Sequence, residues 1–542
     1  MQFNEKRKGE KKCLTKAFKR SYTIHVLSLN IGGNIMKRRV IAGFFALLLL
    51  LCSLSACTGG GNVIKPQEFD PAAEVYNVLE LGIKADGSTD ITKELTKAIN
   101  EKAQVGATLV FPAGKYYING DVSFSAKVGV KLLEGAVIKL GNEANVKMMS
   151  GGFSAPLGKI FEIEGEGRIT GFGNVLNVYS EWFGAVKDDG LDDSLAINYA
   201  LRFCGKVSFL EGSYNIDNPV YIKDTYSSSG YDMLGMGKDK SKIIIGNDII
   251  AIDGYSDGAS IGNSAFNANG IGFYEKNNKK SSMAIKINSG WVSTENCHFE
   301  GLLGGVWYDR GGFCQFTENT AKDTFIVFEI SELSMFSYFL DNEADSCGTL
   351  IKAVVSPSGG VSNGIMIKRC KSYNAYKEDI YITENQAVFI ESCEFIGGSG
   401  GKAAVYFENH IDSGVDNCII SSKPGSARAG VMYASLAFGS ITGNKITDCS
   451  NAVSIHSRGV VTVSDNEFEN NSGSDILLRS CSEIYIARNK FKTAGSAIPV
   501  RGEKENSLIT VTDNVFAHSS YDIAANLGNG SSFIVSDNVF NG

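Results

Sequence analysis

Proline, histidine and tryptophan are scarce in this sequence of 542 residues, which contains 8, 5 and 3 of them. Glycine is abundant at 61 residues, and the hydrophobic fraction of 43% is typical of a globular protein. Many glycines with few prolines suit short strands joined by tight turns, and they argue against a disordered chain. No Cys-x-x-Cys pair occurs, so a zinc site is not indicated.

The N-terminal region has the pattern of a secretory signal. Met36 begins the cationic segment Met-Lys-Arg-Arg, and the apolar run from Val40 to Leu51 is too short for a membrane-spanning helix. The run leads into Leu-Ser-Ala-Cys, which ends at Cys57. This segment resembles the lipobox of bacterial lipoproteins, whose cysteine is lipidated and becomes the first residue after cleavage. The alternative is an ordinary signal peptide with a chance cysteine.

Residues 1–56 are therefore predicted to be removed. Residues 1–35 are rich in lysine and arginine and do not fit in front of a signal peptide, so we expect translation to start at Met36. Residues 57–74 would form a linker. A lipidated Cys57 would anchor the mature protein to the bacterial cell membrane or outer surface, and the protein would contact the membrane only through this anchor.

The predicted mature chain is acidic. Residues 1–56 carry 11 Lys and Arg and 2 Asp and Glu, which leaves 41 basic and 57 acidic residues and a net charge of −16. Binding of nucleic acid by bulk electrostatics is therefore not expected. Nine cysteines follow Cys57, and disulfides are the first expectation in an exported protein. Their spacing favours buried thiols instead, because four of them fall in one repeating pattern.

The C-terminal half repeats one phrase, in which alternating apolar residues lead into asparagine or cysteine. Val461 to Phe468 and Ile484 to Phe491 are two copies. The copies are spaced by 22 to 28 residues, about 24 on average. Their asparagine and cysteine positions, called the ladder positions, are Cys297, Asn319, Asn342, Cys370, Cys393, Cys418, Asn444, Asn466, Asn489, Asn514 and Asn538.

Such a repeat predicts a parallel β-helix with about 24 residues per coil and short capping helices. Each unit alternates with period two and then breaks at a turn, and one unit cannot bury its own apolar face. Stacked coils would superpose equivalent side chains about 4.8 Å apart, so ladder asparagines could hydrogen-bond to one another. A helical solenoid is the competing architecture, but no 10–15-residue segment between ladder positions has a period of 3.6.

Two segments share a second pattern. Residues 81–90 and 182–193 contain an Asp-Gly turn, a helical stretch follows each, and residues 107–116 and 205–214 end in Gly-x-Tyr. Both resemble the cap motif of the pectate lyase superfamily of right-handed parallel β-helices. In that family the helix covers the open end of the first coil, which protects its strand edges.

The resemblance covers nearly all of residues 75–542 and implies an all-β chain with two parts. Residues 75–177 would hold the first cap motif and a short β-stack, and residues 178–542 the main β-helix. The fold implies no single activity, because lyases, hydrolases, epimerases and phage tailspikes share it. Neither the motif set of polygalacturonases nor that of calcium-dependent pectate lyases is present.

Polar residues end the strands that lie about ten residues before the ladder positions. Five of them sit 9 or 10 residues ahead and are expected to stack on one face: Asp309, Glu384, Glu408, His456 and Arg479. Carboxylates on adjacent coils, such as Glu384 and Glu408, would lie about 5 Å apart. That separation suits the carboxylate pair of a retaining glycosidase, or calcium ligands with Asp412 nearby. The alternative is that these residues only keep the surface soluble.

The leading hypothesis is a surface-anchored enzyme acting on polysaccharide, either a lyase or a glycoside hydrolase. The rival is a non-catalytic, glycan-binding or adhesin-like surface protein. The sequence establishes no cofactor, and it leaves calcium open. The predicted catalytic residues are Glu384, Glu408, His456 and Arg479, and the predicted substrate-binding residues are Trp307, His410, Asp412, Arg458 and Arg501.

Overall fold

The computed structural model describes part of the chain. The described residues are 74–542 apart from 104–105, 151, 173–174, 224–229, 256–260, 262–263, 289, 332–335, 355–363, 385–386, 410–411, 436–437, 493–497, 504–505, 518–522, 526–531 and 542. The predicted signal peptide, Cys57 and His410 lie outside them. Within them, no helix has the length and apolar character needed to cross a membrane.

The main part of the chain is a parallel β-helix with three sheets, and each coil gives one strand to each sheet. Sheet 1 has strands Lys206–Ser208, Tyr231–Leu234, Ala265–Asn269, Trp291–Glu295, Phe313–Thr317, Phe336–Leu340, Ile365–Lys368, Val388–Glu391, Ser413–Asp416, Gly439–Thr442, Val460–Ser464, Glu483–Ala487, Leu508–Thr512 and Ser532–Ser536. Sheet 2 has strands Gly212–Ile216, Ser241–Ile245, Gly272–Glu275, His298–Glu300, Thr320–Lys322, Glu343–Asp345, Lys371–Tyr373, Glu394–Gly398, Ile419–Ser422, Lys445–Thr447, Glu467–Glu469, Lys490–Phe491, Val515–Phe516 and Val539–Phe540. Sheet 3 has strands Val220–Tyr221, Ile250–Gly254, Met283–Asn288, Gly304–Asp309, Ile326–Ser331, Thr349–Val354, Ile380–Thr383, Ala403–Glu408, Ala429–Ser435, Val453–Ser457, Ile476–Arg479, Val500–Glu503 and Ile523–Ala525.

A shorter stack of parallel strands precedes the main β-helix. Its three sheets contain Val75–Asn77, Thr108–Phe111, Gly129–Leu132 and Gly152–Ser154; Asp86–Asp90, Gly114–Ile118, Ala136–Leu140 and Phe161–Ile163; and Asp121–Phe124, Asn145–Met148 and Arg168–Thr170. The helix Thr92–Lys102 buries Leu95, Ala98 and Ile99 against this stack. A 3-10 helix, Ser180–Phe183, lies between the two stacks in sequence.

The second cap motif forms a helix that packs against the start of the main stack. Asp193 precedes the helix Ser194–Cys204, and its carboxylate accepts backbone hydrogen bonds from Val186 (2.9 Å) and Asn215 (3.0 Å). The helix contacts the first strands of sheets 1 and 3. The aspartate therefore fixes the turn into the first coil.

The ladder turns connect sheet 1 to sheet 2 and are the most regular part of the fold. Each consists of two residues, such as Asp465 and Asn466, and the first is left-handed in every turn, with Asp465 at φ 60°. The Asn466 side chain accepts hydrogen bonds from the Asn444 backbone (2.9 Å) and side chain (3.0 Å), and it donates to the Ile441 carbonyl (2.9 Å). It also donates to Asn489 on the next coil at 3.0 Å. The predicted asparagine ladder is confirmed.

The ladder cysteines are buried, and the nine cysteines after residue 57 are free thiols. Cys370, Cys393 and Cys418 occupy three consecutive coils, and the Cys393 amide donates to the Cys418 sulfur at 3.4 Å. Burial raises the pKa of Cys297 to about 12, which keeps its thiol protonated and unreactive. The expectation of buried thiols is met, although Cys204 is only half-buried.

Replacement of Asn466 by alanine is expected to lower the free energy of unfolding by about 2–4 kcal/mol. The change leaves the buried Asn444 amide without its partner and removes the side-chain hydrogen bonds to the Ile441 carbonyl and to Asn489, and an unpaired buried group costs about 1–3 kcal/mol. Chemical unfolding followed by circular dichroism would measure it. The control is Asn538→Ala at the last ladder position, where the asparagine is only partly buried, so water can replace the lost partners. Equal losses from both variants would contradict this account.

Candidate functional site

The outward face of sheet 3 carries a row of charged and aromatic side chains. Successive residues of a strand point to opposite faces, so Val306 and Tyr308 are buried inside while Trp307 points outward. Strand pairing places equivalent outward residues of successive coils in register, about 4.8 Å apart. This central row consists of Asp253, Lys286, Trp307, Glu329, Lys352, Tyr381, Tyr406 and Met432.

Lys286 lies between two aromatic rings. Its ammonium nitrogen is 3.7 Å from the ring centroids of both Tyr255 and Trp307, which are 5.9 Å apart and nearly parallel. Burial lowers the pKa of Lys286, and the nearby carboxylates of Asp253, Asp309 and Glu329 oppose that shift. The faces of the two rings and the surrounding carboxylates thus hold the ammonium in place. Its contact with Trp307 fixes the orientation of the indole ring.

Hydrogen bonds fix the carboxylate beside Trp307. The indole nitrogen of Trp307 donates to the Ser331 hydroxyl (2.8 Å), which donates to the Asp309 carboxylate (2.9 Å). Asp309 points outward, yet only 5% of it is exposed. Its orientation is therefore set by Trp307 through Ser331, and it is a preorganised acceptor at the edge of the row.

A carboxylate–ammonium pair lies at the middle of the row. The ammonium of Lys352 donates to Glu329 Oε1 at 2.8 Å, and the two side chains are 30% and 13% exposed. Glu329 is in register with Trp307 on one side, and Lys352 is in register with Tyr381 on the other. The pair is thus flanked by aromatic rings along the helix axis.

Stacked tyrosines continue the row. The rings of Tyr381 and Tyr406 are 5.3 Å apart and nearly parallel. Lys402 donates to the Tyr406 hydroxyl at 3.2 Å, and that hydroxyl donates to Glu408 at 3.2 Å. Burial raises the pKa of Tyr406, and the hydrogen bond with Tyr406 raises the pKa of Lys402. At neutral pH the lysine is charged and the tyrosine neutral.

A buried ion pair supports the chain near these tyrosines. Arg428 and Asp379 form a salt bridge and are 0% and 1% exposed. Arg428 also donates to the Lys377 carbonyl at 3.1 Å. A Cβ atom at Gly398 would lie 1.8 Å from an Arg428 nitrogen, so only glycine leaves room for this side chain. The pair joins segments that directly precede the strands of Tyr381 and Met432.

The sequence placed Glu384 beside Glu408, and that alignment is wrong. Glu408 is in register with Thr383, and Glu384 follows in a left-handed turn with φ 53°. Its backbone amide donates to the Glu408 carbonyl at 2.8 Å. Glu384 lies nine residues before its ladder position instead of ten, and that one-residue difference moves it off the strand.

The other predicted residues extend along the same side of the β-helix. His456 is in register with Ala434, and Ala434 with Glu408, so two coils separate His456 from Glu408. Arg479 and Arg501 both pair with Glu503, at 2.8 and 3.1 Å. Arg458 and Asp412 are exposed in the turns that follow sheet 3 strands. These residues do not form one cluster.

Sequence reasoning included Trp307, but it missed residues that surround Trp307 and Glu329: Tyr255, Lys286, Ser331, Lys352, Tyr381, Lys402 and Tyr406. The strand Met283–Asn288 precedes Cys297 as later strands precede their ladder positions, so Lys286 could have been found by extending the pattern one coil earlier. In the described part of the chain, no three His, Cys, Asp or Glu side chains are grouped to hold a metal ion. Calcium remains a prediction without identified ligands.

Two family models match the chain. The first, described as right handed beta helix region, matches residues 379–540, and the second, described as rhamnogalacturonase A/epimerase, pectate lyase-like, matches residues 75–137. The chain is therefore a right-handed parallel β-helix, and residues 75–137, which contain the first cap motif, resemble the pectate lyase-like family. No curated protein sequence is significantly similar to it.

Solved structures with a similar chain path have low sequence identity to this protein. Tailspike protein 3 of bacteriophage CBA120 is 12% identical, with a TM-score of 0.46, over 67% of this chain and 61% of that one, so the match spans less than two thirds of the tailspike. A tailspike mutant of the E. coli bacteriophage HK620, in complex with a hexasaccharide, is 11% identical over 85% and 76%, with a TM-score of 0.35. DFA-IIIase from Arthrobacter chlorophenolicus is 11% identical over 84% and 96%, with a TM-score of 0.33.

Proposed function

We propose that this protein is an enzyme that acts on polysaccharide, as a glycoside hydrolase or a lyase, and that the glycan lies along the central row of sheet 3. The observation that carries the proposal is the Glu329–Lys352 pair between Trp307 and Tyr381. Aromatic faces stack on sugar rings, and carboxylates supply the general acid and base of glycoside cleavage. A glycan that lies parallel to the axis of the β-helix would contact four groups in turn: the Trp307 ring, the Glu329 carboxylate, the Lys352 ammonium and the Tyr381 ring.

The chemistry would centre on two carboxylates. Glu329 and Asp309 lie on adjacent coils, two residues apart along the strand, so their Cα atoms are about 8 Å apart. In a hydrolase, one carboxyl group protonates the leaving oxygen and the other activates water or attacks the sugar. In a lyase, Lys352 would hold the uronate carboxylate while a base removes the neighbouring proton. The family model described as rhamnogalacturonase A/epimerase supports a carbohydrate substrate of either kind.

A screen of polysaccharides tests this proposal. The purified protein without residues 1–56 would be incubated with neutral and acidic glycans of plant, algal and host origin. New reducing ends alone would indicate hydrolysis, whereas an ultraviolet-absorbing unsaturated uronate would indicate elimination. Binding to one glycan with no product from any would favour the alternative, a non-catalytic glycan-binding or adhesin-like surface protein.

We also propose that a lipid at Cys57 anchors the protein outside the cytoplasm. The support is the cationic start at Met36, the short apolar run and the Leu-Ser-Ala-Cys segment. Labelled palmitate should be incorporated into the protein in its native host and lost in Cys57→Ala. Incorporation that persists in this variant would refute the anchor, and a native peptide from residues 1–30 would refute a start at Met36.

A further inference from the structure

A small apolar cavity opens beside the central row. It has a volume of about 150 Å³, and Trp307 and Glu329 form part of its wall. The rest of the wall includes Leu303, Phe325 and Ile326. Among the described residues that line the cavity, Glu329 is the charged one. The cavity is therefore continuous with the proposed catalytic carboxylate, yet most of its surface is apolar.

The cavity exists because one position in sheet 3 has no side chain. Gly304 is in register with Met283 on the preceding coil and with Ile326 on the following coil. Both neighbours carry long side chains, so the glycine leaves a gap between them. A Cβ atom at Gly304 would lie 2.7 Å from the terminal methyl of Met283. The Gly304 backbone is not left-handed, so glycine is not needed there for conformation.

We propose that this cavity is a specificity pocket for a methyl-bearing substituent of the glycan, which is the methyl group of a 6-deoxy sugar or an acetyl group. This inference rests on the proposed function. A cavity of about 150 Å³ lined by apolar side chains has the size that accepts a small apolar group such as benzene. Transfer of a methyl group from water into such a pocket is favourable.

Other common sugar substituents fit the pocket poorly. A uronate carboxylate would lose its hydration on entering the apolar pocket, and the negative charge of Glu329 would repel it. Both effects are unfavourable. A hydroxymethyl group would bury its hydroxyl among Leu303, Phe325 and Ile326 without a partner from those side chains. A methyl group, whether of a 6-deoxy sugar or at the end of an acetyl group, buries apolar surface at no such cost.

Matched substrates and variants of Gly304 test the pocket. For an O-acetylated glycan, the unsubstituted partner is the same polymer after alkaline deacetylation, and for a 6-deoxy sugar it is a polymer with the parent hexose. The wild-type protein is expected to cleave the methyl-bearing substrate with a kcat/KM at least ten-fold above that of the unsubstituted partner.

Gly304→Ala should remove most of this preference by pushing Met283 into the cavity. Met283→Ala should widen the pocket and improve cleavage of substrates with propionyl groups.

A glycine in another sheet provides the control for any general effect of a glycine-to-alanine substitution on the β-helix. Gly414 lies in a strand of sheet 1, and a Cβ atom there meets its nearest neighbour at 3.3 Å, so Gly414→Ala should leave the preference unchanged. Equal cleavage of both substrates by the wild-type protein would overturn the pocket, as would equal losses for both substrates in Gly304→Ala. The proposed function would survive those results. If the wild-type protein bound and cleaved no glycan, the proposed function would fail and the pocket with it.

The same measurements show whether the pocket accepts an acetyl group or the methyl group of a 6-deoxy sugar. A preference seen only in the acetylated pair assigns the pocket to an acetyl group, and a preference seen only in the 6-deoxy pair assigns it to that methyl group. Quenching of tryptophan fluorescence in the wild-type protein gives a second readout that does not need turnover, because Trp307 lines the cavity. Gly304→Ala should weaken binding of the preferred glycan measured in this way.

Discussion

Glu329→Gln is expected to lower the rate of glycan cleavage on the order of a thousand-fold with little loss of stability. The amide keeps the shape of the side chain and an acceptor for Lys352, but it can neither give nor take a proton at neutral pH. General acid–base catalysis contributes about 10²–10⁴-fold, so the loss should fall in this range. The measurement is initial rate against the best substrate of the screen, with thermal unfolding recorded in parallel.

A carboxylate on another face provides the control. Glu343 is exposed on sheet 2, and Glu343→Gln should retain full activity. Asp309→Asn should also be strongly impaired, because Asp309 is the second carboxylate of the proposed site. If Glu329→Gln stayed active while Glu408→Ala or His456→Ala lost activity, the catalytic centre would lie in the C-terminal half of the face, where the sequence placed it.

Arg428→Met is expected to lower the free energy of unfolding by about 3–5 kcal/mol. The change leaves Asp379 fully buried without its cation, and burial already raises the pKa of this carboxyl group against the opposing effect of Arg428. The methionine fills part of the space, so loss of packing contributes less than loss of charge pairing. Chemical unfolding at neutral pH would measure the difference.

The double variant Arg428→Met with Asp379→Leu separates the two contributions. It removes both charges, so most of the lost stability should return, since a buried ion pair replaced by apolar residues of similar size is often neutral or stabilising. A double variant no more stable than Arg428→Met would show that packing around Gly398, and not the unpaired carboxylate, dominates. Arg369→Met is a matched control, because Arg369 pairs with Asp341 at the surface, where an ion pair contributes about 1 kcal/mol or less.

The fold could be predicted from the sequence because the residues that define its regular part recur within each single repeat. Each ladder turn has two residues, and an asparagine or cysteine in the second position hydrogen-bonds or packs against the same position on the next coil. That requirement places an asparagine or a cysteine at each ladder position, where it can be recognised in the sequence. The Asp-Gly turn and helix of each cap motif are also local, and Asp193 accepts the backbone hydrogen bonds that such a turn needs.

The candidate site could be predicted only in part because it depends on register across sheet 3. Loops between sheet 3 and sheet 1 vary from 2 residues after Asn288 to 10 after Val354, so counting back from a ladder position does not give a constant place on the strand. Glu384 was misaligned because it lies one residue beyond Thr383, the residue that is in register with Glu408. Lys286 was missed because its strand lies one coil before the coils to which the pattern was applied. Tyr255 was missed because its packing against Lys286 and Trp307 joins three coils, and no single repeat contains it.

The contrast between rigid ladder turns and variable loops has a consequence for how this protein can diversify. A ladder turn tolerates no insertion, because one extra residue would break hydrogen bonds to two neighbouring coils. The segments that connect sheet 3 to sheet 1 range from 2 to 10 residues in length, and they follow the strands that carry Trp307 and Glu329. The proposed glycan preference can therefore change by lengthening these segments, or by duplicating a whole coil, while the stack that supports them stays the same.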